Sequence, residues 1–175
     1  MFDRSFRKLL PRPKPSPAAE GQESVWRYPR PPLLEPERRP VRIEFAGRVL
    51  AQTNSAMRVL ETSHPPVYFL PRDSFDPDML ELRSGGSYCE WKGEAAYLDI
   101  VSPDGRRAEG AAFCYPEPTP RCESSAGYLS VYAGPMDACW VGDDRAEPQP
   151  GGFYSGWITP WVVGPFKGIP GSQGW

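Results

Sequence analysis

The chain has 175 residues and a formal net charge of −2, unevenly spread: residues 1–42 carry ten Lys/Arg against five Asp/Glu, and residues 43–175 carry ten against seventeen. An acidic body lacks the basic face that nonspecific nucleic-acid binding needs, which argues against that class of function. Pro (23) and Gly (17) are about twice as frequent as in ordinary domains, which disfavours long helices, while six Trp, eight Tyr and eight Phe exclude a wholly disordered chain.

In chain order, Phe2, Phe6, Leu9 and Leu10 fall near helical spacing, with Arg4, Arg7 and Lys8 between them. Pro11, Pro13, Pro15 and Pro17 then stop any helix and favour an extended linker. Residues 1–24 therefore read as a basic, disordered tail, with docking on a membrane surface or in a partner groove as the alternative. Residues 25–40 remain proline-rich, but Trp26 and Tyr28 predict an arm pinned to the body. Val41, Ile43 and Phe45 alternate with Arg42 and Glu44, the pattern of a half-buried strand. Gly47 supplies a turn and residues 49–51 return as its hairpin partner. Asn54 or Ser55 can cap a short helix over residues 56–61, which Pro65-Pro66 ends, and residues 67–70 read as a buried strand.

Residues 73–82 read as loop or one helical turn, and Ser84-Gly85-Gly86 as a turn. Residues 88–92 and 95–101 are predicted strands around Gly93. Pro103-Asp104-Gly105 is a hairpin turn after which residues 107–115 pair back. Residues 128–132 are of ambiguous type, and residues 138–141 are the predicted last strand. Residues 149–175 are glycine-rich yet carry Phe153, Tyr154, Trp157, Trp161 and Phe166, so they read as an arm packed on a single domain spanning 25–148. Such an arm can cover a sheet edge or a pocket mouth.

Cys89, Cys114, Cys122 and Cys139 form no C-x-x-C pair, so no zinc or other metal site is predicted. The apolar runs are too short for a secretory signal or a membrane span, and reduced thiols in the cytoplasm are the expectation.

The densest chemistry is R-V-L-E-T-S-H-P-P-V-Y-F-L-P, residues 58–71. Arg58 is a fork-shaped donor suited to a carboxylate or phosphate, or else the helical partner of Glu61. His64, the single imidazole, can serve general acid–base chemistry or be a plain loop residue. Tyr68, Trp91 and Tyr97 can stack on a flat ligand or fill the core. Cys89 needs a nearby base to act as a nucleophile. Lys92 is either an anion contact or a solvated edge charge. No G-x-S-x-G elbow is present.

Five motifs in register resemble the bacterial domain-of-unknown-function 427 family. They are W-R-Y-P-R-P-P (26–32), V-R-I-E-F-A-G-R-V-L-A-Q-T (41–53), the 58–71 stretch, C-E-W-K-G-E-A-A-Y (89–97) and A-F-C-Y-P-E-P (112–118). The 151–171 segment also resembles an extension seen on some members. The resemblance implies a mainly β, tent-like fold of two antiparallel sheets packed crosswise, with one or two short helices and long terminal arms. Relatives in that class include zinc-bearing domains that hold a small molecule in an aromatic cage between the sheets; this chain lacks the zinc cysteines, so the metal does not carry over. A nucleotidyltransferase-type label attached to the family has no support here: Asp76-Pro77-Asp78 has the letters of a D-x-D pair, but proline in a loop does not make a metal-binding strand.

The sequence thus predicts a metal-free module, with no cofactor, that holds a small planar or anionic ligand between its sheets. Arg58, Glu61 and Lys92 would fix polar groups while Tyr68, Trp91 and Tyr97 stack. The alternatives are an enzyme using Glu61, His64 or Cys89 in the same pocket, and an interaction protein using its arms.

Overall fold

A computed structural model describes residues 9–175, which form strands and short 3-10 turns. The strands are β1 (Glu23–Ser24), β2 (Leu33–Pro36), β3 (Val41–Phe45), β4 (Arg48–Thr53), β5 (Met57–Leu60), β6 (Val67–Pro71), β7 (Leu80–Cys89) and β8 (Gly93–Val101). They continue with β9 (Arg107–Cys114), β10 (Tyr128–Val131), β11 (Ala138–Val141), β12 (Asp144–Arg145), β13 (Glu147–Pro148), β14 (Trp157–Ile158) and β15 (Val162–Val163). Seven of them make an antiparallel sheet in the order β2-β5-β6-β10-β9-β8-β7, and β12-β11-β3-β4 make a second, four-stranded sheet. The protein is mainly β, as predicted.

Period-two alternation decides what each face does. From the small sheet, Val41, Ile43, Phe45 and Leu50 face Tyr68, Leu70, Leu98, Ile100, Leu129 and Val131 of the large one in one continuous core. Each such side chain contributes about 1.5–3 kcal/mol by leaving water. Trp157 reaches in from the C-terminal arm, its ring 5.0 Å from that of Tyr68 and its indole N–H donating to Val131 O at 2.9 Å. Among the described residues the space between the sheets is therefore filled by side chains, where the sequence predicts a pocket. The opposite face of the large sheet carries a separate cluster of Val59, Phe69, Ala95, Phe113 and Tyr115.

Several local expectations change. Residues 57–60 form a strand, not a helix: β2 and β6 flank them and supply ladder partners such as Leu33↔Leu60 and Arg58↔Tyr68. Six residues are too few for a helix to compete with pairing on both sides. The predicted 73–82 loop is replaced by two 3-10 turns, Arg72–Ser74 and Pro77–Met79, and by the start of β7 at Leu80. The Ser84-Gly85-Gly86 turn is instead a bulge within β7, where the register shifts between Leu82 and Gly86. Residues 90–92 form the β7–β8 turn rather than strand. Residues 128–131 are a strand held between β6 and β9.

The two arms lie on each other. Leu10 N–H donates to Gly171 O at 2.8 Å, Ser16 N–H to Gly164 O at 2.9 Å, and β1 pairs in parallel with β15. Trp26 donates its indole N–H to Pro165 O at 2.8 Å. Phe2, Phe6 and the basic residues between them, the core of the amphipathic turn, lie outside the described residues.

Candidate ligand cleft

The aromatic face opposite the core is only partly covered, which leaves a cleft of about 590 Å³. Its floor is Val59 and Val67 with the rings of Tyr97 and Phe113, brought together because β5, β6, β8 and β9 each turn alternate residues outward, and with Tyr115 and Tyr132, which directly follow β9 and β10. Phe113 packs edge-on to Tyr115 at 6.0 Å and lies 5.6 Å from Tyr132. Tyr97 and Ser87 share a hydrogen bond of 2.8 Å between hydroxyls.

One wall is the β7–β8 turn with Cys89, Glu90, Trp91 and Lys92. Its backbone is fixed from the 119–122 loop: Thr119 N–H donates to Lys92 O at 3.1 Å and Thr119 Oγ1 to Trp91 O at 2.6 Å. The Lys92 ammonium sits 5.6 Å from the Tyr115 ring centroid, within cation–π range.

The other wall is the His64 turn, with the arm docked on it. Ser63 adopts a left-handed φ of 72°, a conformation costing a non-glycine residue about 1–2 kcal/mol. It is held from both sides: its N–H donates to Val25 O at 3.1 Å, and its carbonyl accepts from Lys167 N–H at 2.9 Å. His64 is 6 % exposed, its ring edge-on to Tyr154 at 4.6 Å. Gln149 Nε2 lies 3.0 Å from His64 Nδ1 and donates to Lys167 O at 2.8 Å, while Gln149 Oε1 accepts from Gly156 N–H at 3.1 Å. A Cβ on Gly156 would run into Gln149 Oε1 and stand 2.7 Å from Pro65 Cγ, so only glycine lets the arm approach this closely.

Burial pushes the His64 imidazole down to about pKa 3, helped by the positive charges of Lys167, Arg30 and Lys92. A carboxamide oxygen facing the ring would favour the imidazolium, but the Gln149 amide is turned the other way and reinforces the neutral form. Burial, then Arg30, also lowers the Lys167 ammonium. Glu61 lines the cleft 3.6 Å from the Arg30 guanidinium.

Six predicted site residues meet here: Glu61, His64, Cys89, Trp91, Lys92 and Tyr97. Two do not. Arg58 turns to the other face of β5 and pairs with Glu23 at 3.0 Å and Glu35 at 2.6 Å, so its helical pairing with Glu61 is replaced. Tyr68, its partner across the β5–β6 ladder, is fully buried in the core. The strand period separates them from Glu61, whereas a helix would have placed Arg58 and Glu61 together. The carboxylate of Asp76 accepts Asp78 N–H at 3.1 Å and caps a 3-10 turn. All four cysteines are free thiols; burial raises Cys114, Cys122 and Cys139. Among the described residues, no group of three or more His, Cys, Asp or Glu side chains is arranged to hold a metal ion, and no helix is long and apolar enough to cross a membrane.

Phe113, Tyr115, Tyr132, Tyr154 and Lys167 also line the cleft, and Gln149 supports its wall, although none of them is a predicted site residue. The alternation in A-F-C-Y signalled the outward rings of Phe113 and Tyr115; nothing local signalled Gln149.

No curated protein matches the chain. A family model described as a domain of unknown function (DUF427) matches residues 33–142, which include the aromatic floor, the His64 turn and the Trp91–Lys92 wall. Gln149, Tyr154 and Lys167 lie beyond that span. With well over half its length matched, the chain belongs to the domain-of-unknown-function 427 family.

Proposed function

We propose that the chain binds a small planar ligand bearing an anionic group, without a metal, in the cleft on the outer face of the seven-stranded sheet. The observation that carries this reading is an open, ring-floored cleft of about 590 Å³ whose walls carry polar groups. Ligand sites of small molecules are typically apolar clefts of about 300–1,000 Å³ with a few convergent polar groups. The planar part of the ligand lies against Tyr97, Phe113 and Tyr115. Its polar end meets His64 and Lys92. The charges that act most strongly on His64 are all cations, Lys167, Arg30 and Lys92, so the field at that end favours an anion. A neutral imidazole serves there as a hydrogen-bonding group rather than as a proton shuttle, which favours binding over acid–base catalysis.

Saturation-transfer NMR with a panel of planar aromatic fragments tests this. Fragments bind the wild type and lose roughly tenfold in affinity to Tyr97→Leu, about the worth of one lost ring contact. If no planar fragment binds, or Tyr97→Leu leaves binding untouched, the reading is wrong.

A further inference from the structure

We infer that Gln149 locks His64 in the tautomer protonated on Nε2, and so sets the cleft to select planar ligands whose polar group accepts a hydrogen bond, a carboxylate above all, over ligands that offer a donor. The inference rests on the ligand-binding reading above and names the chemistry that the site would take.

Two backbone groups beside Gln149 cannot change role. Gly156 N–H can only donate, and it points at Gln149 Oε1 at 3.1 Å. Lys167 C=O can only accept, and it faces Gln149 Nε2 at 2.8 Å. Reversing the carboxamide would set N–H against N–H and oxygen against oxygen, so its orientation is determined twice over. The second hydrogen of Nε2 then points at His64 Nδ1, 3.0 Å away, and that nitrogen must be the bare acceptor. Gln149 is only 2 % exposed, so water does not compete for these positions. The imidazole proton is left on Nε2. Among the described residues Nε2 has no hydrogen-bond partner, yet it is not one of the sealed, unsatisfied polar atoms. His64 itself is one of the residues that line the cleft.

The remaining charges agree with a donor-bearing site. Lys167 and Tyr154 pack from the arm, Lys92 from the β7–β8 turn, and Arg30 from the segment before β2. Glu61 is opposed by Arg30, and Glu90 stands on the far wall beside Lys92. A ligand carboxylate accepts from Nε2–H and is drawn by the ammonium groups. A ligand ammonium would set N–H against N–H and meet like charge. The selecting device, Gln149, lies in the arm, beyond the 33–142 span that the family model matches.

The test uses the full chain labelled with ¹⁵N and two probes of one ring, 2-naphthoate and 2-naphthylmethylamine. His64 is the only histidine, so its two ring nitrogens are read without ambiguity. In the free protein, the result expected is an unprotonated Nδ1 and a protonated Nε2 from about pH 8 down to about pH 5. Naphthoate should bind roughly tenfold more tightly than the amine, the worth of one charge-assisted hydrogen bond, and shift the Nε2 resonance. Gln149→Leu should mix the two tautomers and erase most of that preference. Gln149→Glu, whose carboxylate accepts from Nδ1–H, should move the proton to Nδ1 and weaken naphthoate binding. An Nδ1-protonated wild type overturns the inference outright. Equal binding of the two probes overturns it while leaving the planar-ligand reading standing. Binding of neither probe removes both.

Discussion

The two faces of the seven-stranded sheet are built from the same strands and read alternate residues of each, yet they have opposite fates. On one face, Tyr68, Leu70, Leu98, Ile100, Leu129 and Val131 lie buried under a second sheet and the plug of Trp157. On the other, Tyr97, Phe113, Tyr115 and Tyr132 are flanked by the arm's 152–155 loop, the β7–β8 turn and the His64 turn, which leave a cleft. A sheet face fully roofed by another sheet becomes core; the same kind of face roofed by a loop becomes a cleft. Tyr88 and Phe153, each 76 % exposed, stand at its rim.

The contrast breaks first at Trp157. If the arm belongs to the core, Trp157→Ala leaves a large cavity beside Tyr68 and costs about 3–5 kcal/mol, measured by urea unfolding. A change below about 1 kcal/mol would mean that the arm is a loose cover over both faces.

Gly156→Ala strikes the seam between arm and His64 turn. Its Cβ has no room against Pro65, so overpacking costs about 1–3 kcal/mol, and ring-probe affinity falls as the wall moves away. Loss of affinity with unchanged stability would sharpen the comparison, because the arm would then shape the cleft without supporting the fold.

His64 gives the outer face a pH signature. Its folded pKa, about 3, lies below the unfolded value near 6.5, so the unfolded chain binds the extra proton between the two. The stabilising contribution is complete above about pH 6.5 and is lost as pH falls toward 3. Between pH 7 and pH 5, wild type should lose about 2 kcal/mol more than His64→Gln, read from denaturation midpoints at the two pH values. Equal losses would show an imidazole in ordinary contact with water.

Alternation made much of the fold legible. The Val41–Phe45 pattern and Gly47 announced the first hairpin, and Pro103-Asp104-Gly105 announced the β8–β9 turn. Residues 56–61 misled because a cap and three apolar residues suit a short helix, while the strands that pair with them come from residues 33–36 and 67–71. That one difference decided which neighbours Arg58 and Glu61 meet. Tyr68 was legible as a buried strand residue, but which face it joined depended on the small sheet. Gln149 was invisible because its role exists only across 85 residues of separation.

The most direct test is to saturate the protein with 2-naphthoate and record intermolecular NOEs. The account predicts contacts from the ring to Tyr97, Phe113 and Tyr115, with the carboxylate end nearest His64. Contacts confined to the Arg58 and Trp161 side of the molecule, or none at all, would contradict it.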